Sequence, residues 1–168
     1  MREPIALLKW IEANRECLKP PVGNKLIWEN SEFMVFGVGG PNIRTDFHIN
    51  EGEEFFYQVE GDINLRMLIG GKPKEFPIRQ GEIYLLPPKV PHSPQRPAGT
   101  VGVVLERKRL AHEIDTLLWI CESCHHPLYR EDFHLKNIVE DLVPVIQRYQ
   151  SNEQHRKCLK CGKVASLA

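Results

Sequence analysis

Apolar residues change their spacing twice along this chain. Near the N-terminus Leu7, Trp10, Ile11 and Cys17 recur at roughly helical intervals, and Pro20-Pro21 closes the segment. From about Ile27 to Lys108 the texture becomes short apolar runs, FMVFGV, FFYQV, INLRMLI, EIYLL and VGVVLE, separated by GGP, EGD, GGKP, RQG and PPKVP. Strands with a turn signal every 8 to 12 residues or so are the pattern of an antiparallel sandwich or barrel. After Asp115-Thr-Leu-Leu-Trp-Ile the spacing is helical again, with Leu135, Ile138, Val139, Leu142, Val145 and Ile146 on one face and Pro144 expected to kink or end the helix. The pattern predicts an all-β-dominated unit over residues 1–112, begun by a helix, and a small C-terminal extension over 113–168, the two forming one globular body.

Composition narrows the partners. A chain of 168 residues can bury a core without staples. Its 22 Lys+Arg and 22 Asp+Glu cancel, leaving no field to draw in nucleic acid or an anionic membrane. A small molecule is the expected partner. No apolar run approaches the roughly 20 residues of a membrane span, and MREPIALLKWIEANREC carries acids where a signal peptide needs an unbroken apolar stretch. That predicts a cytoplasmic protein, in which five cysteines are not read as disulfides.

Period two assigns the candidate chemistry to faces. Ile43, Thr45 and Phe47 alternate with Arg44, Asp46 and His48, so Arg44 and His48 are expected to point the same way, and Glu54, Phe56 and Gln58 share a face of the next strand. His92 follows a proline-rich turn and stands between Pro91 and Pro94, which restrict its backbone. HINEGEE taken alone could be a solvated acidic turn. With His92, it offers His48 and Glu54 as metal ligands. Glu106 replaces an apolar residue in the buried-looking run VVLER, where a charge needs a partner. Arg44 and Arg96 are either surface charges or guanidinium forks for an anionic ligand.

Four cysteines form two knuckles, Cys121-Glu-Ser-Cys124 and Cys158-Leu-Lys-Cys161, with 33 residues between them and Gly162 after the second to allow a tight turn. Four thiolates suit tetrahedral zinc or iron. Two other readings stand beside this one. CESCH matches the c-type haem attachment motif, and either pair alone can be a redox dithiol. Cys17 is expected to be a small buried hydrophobe of the N-terminal helix.

The order His48-Ile-Asn50, Glu54, Gly61 and then Gly81, Pro87, His92, Arg96 resembles the two motifs of the cupin superfamily. Asn50 stands where many cupins have a second histidine, Lys89 where a glycine is common, and Arg96 where an asparagine closes the second motif. What remains, His48, Glu54 and His92, is the two-histidine, one-carboxylate set of non-haem Fe(II) oxygenases. RTDFH, EEFFYQVEGD, LLPPKVPHSPQRP and VLERKR closely resemble the 3-hydroxyanthranilate 3,4-dioxygenase family, over nearly the whole chain.

That resemblance implies a cupin (double-stranded β-helix) barrel and Fe(II) on the triad. It implies a catalytic pocket completed by Arg44 on the dioxygen side and by Arg96, Glu106 and Glu54 toward the substrate. The implied reaction opens 3-hydroxyanthranilate to 2-amino-3-carboxymuconate 6-semialdehyde, the precursor of quinolinate, either on the kynurenine route from tryptophan to NAD or in aromatic catabolism. Bacterial members carry a rubredoxin-like iron on the four cysteines, although zinc fits the same donors, and a homodimer is implied. The rivals are a metal-dependent cupin isomerase or epimerase of sugars, which Asn50 disfavours, and a cupin that only binds a ligand, which has no use for open metal positions flanked by arginines.

Overall fold

Helix α1 (Leu7–Asn14) forms on the predicted apolar spacing and buries Ile11. The computed structural model describes residues 2–20 and 23–167; Pro21 and the side chains of Ile138 and Val139 lie outside the described set. At Arg15 the backbone tightens into a 3-10 turn (Arg15–Leu18), which advances about 120° per residue where an α-helix advances about 100°. The change of phase corrects one expectation: Leu18 turns into the core and Cys17 is exposed.

The strands are β1 (Asn24–Leu26), β2 (Phe33–Gly39), β3 (Asp46–Ile49), β4 (Glu54–Glu60), β5 (Ile63–Ile69), β6 (Lys72–Ile78), β7 (Ile83–Leu86), β8 (His92–Gln95), β9 (Val101–Arg107), β10 (Asp115–Ile120) and β11 (Pro127–Phe133). They form two antiparallel sheets, β1-β2-β9-β4-β7 and β11-β10-β3-β8-β5-β6. Phe56, Leu65, Met67, Leu86 and Val104 fill the space between them. This is the two-sheet barrel that the cupin resemblance implies. Among the described residues no helix is long and apolar enough to cross a membrane.

Three details depart from the sequence pattern. First, the expected greasy face at Ile43 and Thr45 is not a strand face, because β3 begins only at Asp46; Ile43 is 78% exposed, while Phe47 is fully buried. Second, His92 opens a strand rather than ending a turn, and β8 pairs with β3 at the single position His48↔His92. Beyond that pair side chains carry on the link, Gln95 Nε2 donating to Arg44 O at 3.1 Å and Asn42 Nδ2 to Pro94 O at 2.9 Å. Third, β6 contains Pro73 and Pro77, residues that deny ladder hydrogen bonds, and is tolerated because it is an edge.

The C-terminal extension adds β10 and β11 to the sheet that carries His48, with Leu117 opposite His48 in register. Directly opposed residues point to one side, so Leu117 and Trp119 share the face of His48. Helix α2 (Ile138–Ser151) packs on that face through Val145 and Tyr149, with Trp119 and Tyr149 stacked at 4.3 Å between centroids. Pro144 does not end α2, which runs on through it to Ser151, and a short α3 (Glu153–Arg156) follows.

Candidate metal centre

Two adjacent strands and one from the opposite sheet converge on a buried point. His48 on β3 and His92 on β8 are register partners, and Glu54 starts β4 across the barrel. One ligand atom from each lies within 4.8 Å of the others, and all three side chains are buried. His92 Nδ1 faces the Val90 carbonyl oxygen at 3.0 Å, so that nitrogen carries the proton and Nε2 turns to Glu54 Oε2 at 3.1 Å. Two acceptors facing each other at that distance need a cation between or upon them. In the metal-free protein a proton serves: burial alone lowers the imidazole's pKa, but the charge and hydrogen bond of Glu54 and the bond to Val90 O together raise it, and Glu54 is held at about 2 against its own burial chiefly by His92.

His48 is fixed from behind. Its Nε2 lies 2.6 Å from Asp115 Oδ2, which leaves Nδ1 for a metal. Burial lowers the His48 pKa despite Asp115, favouring the neutral ring that ligates. Asp115 begins β10, is wholly buried, and accepts Nε and Nη2 of Arg109 at 2.8 Å each. A carboxylate behind a ligating histidine orients the ring and raises its basicity.

The charged wall of the cavity is asymmetric. Arg44, just ahead of β3, pairs with Asp46 and lines the cavity beside His48. Arg96 is 4% exposed, yet among the described residues it meets no carboxylate within ion-pair distance; its guanidinium reaches only Gln58 Oε1, at 3.3 Å. Burial pulls its pKa down to about 10. Gly102 makes this possible, since a Cβ there would stand 2.7 Å from Gln58 Oε1 and 3.0 Å from Arg96 Nη1. Glu106 on β9 is the register partner of Glu54, and its carboxyl is pushed up to about 7 by burial, with Glu54 adding and Arg109 opposing. Phe36, Val38, Val104, Leu135 and Leu142 supply apolar walls. The arrangement can hold a dication with open positions and an anion beside it.

The four cysteines also come together. All their sulfurs lie within 4.8 Å of one another, with Cys121 and Cys161 at 3.6 Å and Cys124 and Cys158 at 3.5 Å. A tetrahedron with metal–sulfur bonds of about 2.3 Å has edges of roughly 3.8 Å. The two knuckles repeat one hydrogen-bond pattern: Cys121 N–H to His126 O and His125 N–H to Cys121 O, then Cys158 N–H to Lys163 O and Gly162 N–H to Cys158 O. His125 (φ 57°) and Gly162 (φ 76°) hold the same left-handed place. Backbone N–H groups, that of Ser123 first, lower the Cys121 thiol to about 6. The c-type haem reading loses its basis here, because His125 serves as a turn residue and its cysteines group with the second pair. No cysteine lines the cavity of the triad.

The sequence model of the 3-hydroxyanthranilic acid dioxygenases matches residues 1–150. The chain belongs to that family. A 3-hydroxyanthranilate 3,4-dioxygenase of Xanthomonas campestris pv. campestris (strain B100) is 51% identical over 161 residues, 96% of this chain and 91% of that protein. One from Paraburkholderia phytofirmans is 45% identical over 163 residues, 96% and 94% of the two chains. Among solved structures, protein NMB1881 from Neisseria meningitidis is similar with a TM-score of 0.51 at 23% identity, over 63% of this chain and 100% of that one, a likeness of fold alone. The family match ends at residue 150, before Cys158 and Cys161.

Set against the family motifs, the structure brings His48, Glu54, His92, Arg44, Arg96 and Glu106 to one cavity. Sequence reasoning missed Arg109 and Asp115. The only signal for Asp115 was an acid at the head of the buried run TLLWI; that for Arg109 was its place at the end of VLERKR, which does not reveal its partners because folding fixes them. Leu135 and Leu142, read as one face of a helix, are split: Leu135 precedes α2, and both line the cavity. Lys89 takes φ 63°, the left-handed conformation for which glycine is common at that point, and its ammonium pairs with Glu51 at 2.9 Å.

Proposed function

We propose that this chain is a non-haem Fe(II) dioxygenase that opens the ring of 3-hydroxyanthranilate between C3 and C4, adding both atoms of dioxygen to give 2-amino-3-carboxymuconate 6-semialdehyde. The observation that carries this reading is Arg96, a buried guanidinium that among the described residues has no carboxylate at ion-pair distance, beside a three-ligand metal set. A substrate carboxylate supplies the missing charge, and the fork geometry suits it. The family membership and the named relatives support the same substrate. His48, Glu54 and His92 have the donor chemistry of Fe(II), which when bound collects the substrate and dioxygen and passes electron density between them.

The protein's own part is position and charge. Arg96 takes the carboxylate, Glu106 accepts the proton of the ring hydroxyl, and Arg44 borders the dioxygen side. Leu135 and Leu142 shield the ring from water. The four cysteines hold a rubredoxin-like iron whose task is to staple the C-terminal extension, 113–168, by tying the turn of Cys158 and Cys161 to that of Cys121 and Cys124; the extension and the barrel, 1–112, form one unit. The protein works in the cytoplasm, where its thiols stay reduced.

A second copy covers the outer face of the first sheet, where Phe33, Ile83 and Leu85 are exposed. Sedimentation of wild type against Leu85→Glu tests that dimer. The decisive test of function adds 3-hydroxyanthranilate and labelled dioxygen to Fe(II)-loaded protein. The product should contain both labelled atoms and show the near-ultraviolet absorbance of the open-chain semialdehyde. Substrate returned unchanged from fully iron-loaded protein would refute the reading.

A further inference from the structure

Two glutamates share the centre, and only one belongs to the metal set. Glu54 and Glu106 are partners in the β4–β9 register, so both point into the barrel, and both are buried. One nitrogen, Asn50 Nδ2, reaches Oε2 of each, at 3.5 Å and 3.4 Å. Both are glutamates, and the carboxylate of Glu106 lines the same cavity as His48, Glu54 and His92. Yet Glu106 lies outside the group whose ligand atoms gather within 4.8 Å.

The difference is Arg109. Its Nη1 donates to Glu106 Oε2 at 2.7 Å, the same oxygen that Asn50 Nδ2 reaches. Arg109 cannot follow Glu106 if that side chain moves, because Nε and Nη2 are clamped by Asp115 and Nη1 also reaches the Arg107 carbonyl oxygen at 3.2 Å. The Arg109 side chain is itself 5% exposed, and its planar fork fixes both carboxylates at once. Asn50 contributes a weaker restraint between the two glutamates, leaving its own Oδ1 buried without a partner.

We infer that Arg109 is a positioning residue that tethers Glu106 away from the metal and thereby keeps the centre three-liganded. This rests on the ring-opening reading for its purpose: a chelating substrate and dioxygen need three open positions of an octahedral ion, and a second carboxylate would take one. The tether itself is a property of the chain and can be read without turnover.

The test counts exchangeable waters on Mn(II) bound at the triad, by water-proton relaxation, in wild type, Arg109→Gln, Arg109→Lys and the double variant Arg109→Gln/Glu106→Ala. Wild type should hold three inner-sphere waters. Arg109→Gln should hold two, a loss of about a third of the inner-sphere relaxation, and the double variant should regain the third because no carboxylate is left to bind. Arg109→Lys, whose single ammonium cannot serve Asp115 and Glu106 together, should behave as Arg109→Gln and stands in for it if that variant does not fold. Two waters in wild type, three in both single variants, or a loss that the double variant does not reverse would each overturn the tether. Failure of wild type to open the ring, with this pattern of waters intact, would instead overturn the proposed reaction.

Discussion

The two clusters of candidate metal ligands are built on opposite principles. The triad sits on three β-strands, and its histidines are each held by a second protein group, Val90 O for His92 and Asp115 for His48. The cysteine cluster sits on two turns at the ends of chain segments, oriented by backbone N–H groups and completed from residues 121 to 161. A framework that fixes its ligands in advance can leave coordination positions open. A pair of turns needs the ion to finish the fold, so it must surround the ion fully. Openness and stapling are therefore divided between the two sites.

The sharpest way to break that contrast is to remove a strand-borne ligand. His48→Ala, Glu54→Ala or His92→Ala should each abolish turnover and stoichiometric iron at the triad while the barrel stays folded, read by metal analysis and circular dichroism. Full activity in any of them would end the assignment. Next in size is Arg96→Ala, which should keep its iron and lose roughly a hundredfold to a thousandfold in kcat/KM, the scale of about 3–4 kcal/mol for a desolvated charge partner. Wild-type kinetics there would shift the clamp to Arg44.

A smaller effect concerns Glu106. Its folded pKa of about 7 exceeds the ordinary 4.5, so between those values the native state holds a proton that the unfolded chain has released. Stability from this group is present below about pH 4.5 and is lost as pH rises through 7. Metal-free Glu106→Gln should therefore gain on wild type between pH 5 and 8, by up to about 3 kcal/mol in denaturant titrations. Loading a dication, which favours the ionised carboxylate, should shrink the gain. A pH-independent difference would show that Glu106 is already ionised.

The smallest catalytic effect is expected at the cysteines. Replacing Cys121 and Cys124 by serine should remove about one metal per chain and lower the melting temperature by on the order of 10 °C, since a few kcal/mol shift a domain of this size by about 2–4 °C each. Initial turnover per triad iron should hardly change. A hundredfold fall with the barrel intact would make the second site an electron carrier or a gate.

Strands that alternate cleanly were legible: INLRMLI is β5 to the residue. The edge strand β6 was not, because its prolines are permitted only by a neighbour's absence, which no local pattern records. The triad was readable since His48, Glu54 and His92 keep a spacing tied to strand ends. Asp115 was not, since it meets His48 across 67 residues of chain and carries no motif. Cys17 was misplaced for a local reason, the tightening of one helical turn.

The place of β10 beside β3 sets an order of manufacture. As the chain leaves the ribosome, β3 and the residues of both sequence motifs emerge well before Asp115, so His48 then lies on an open sheet edge with no carboxylate behind it. The wall residues Leu135 and Leu142 follow, and Cys158 and Cys161 come after them. A nascent chain halted between residues 92 and 115 owns every triad ligand and lacks the support for one of them. Mature metal affinity is thus a property gained only once β10 has emerged, and a truncation series assayed for bound metal should step upward as β10 is included.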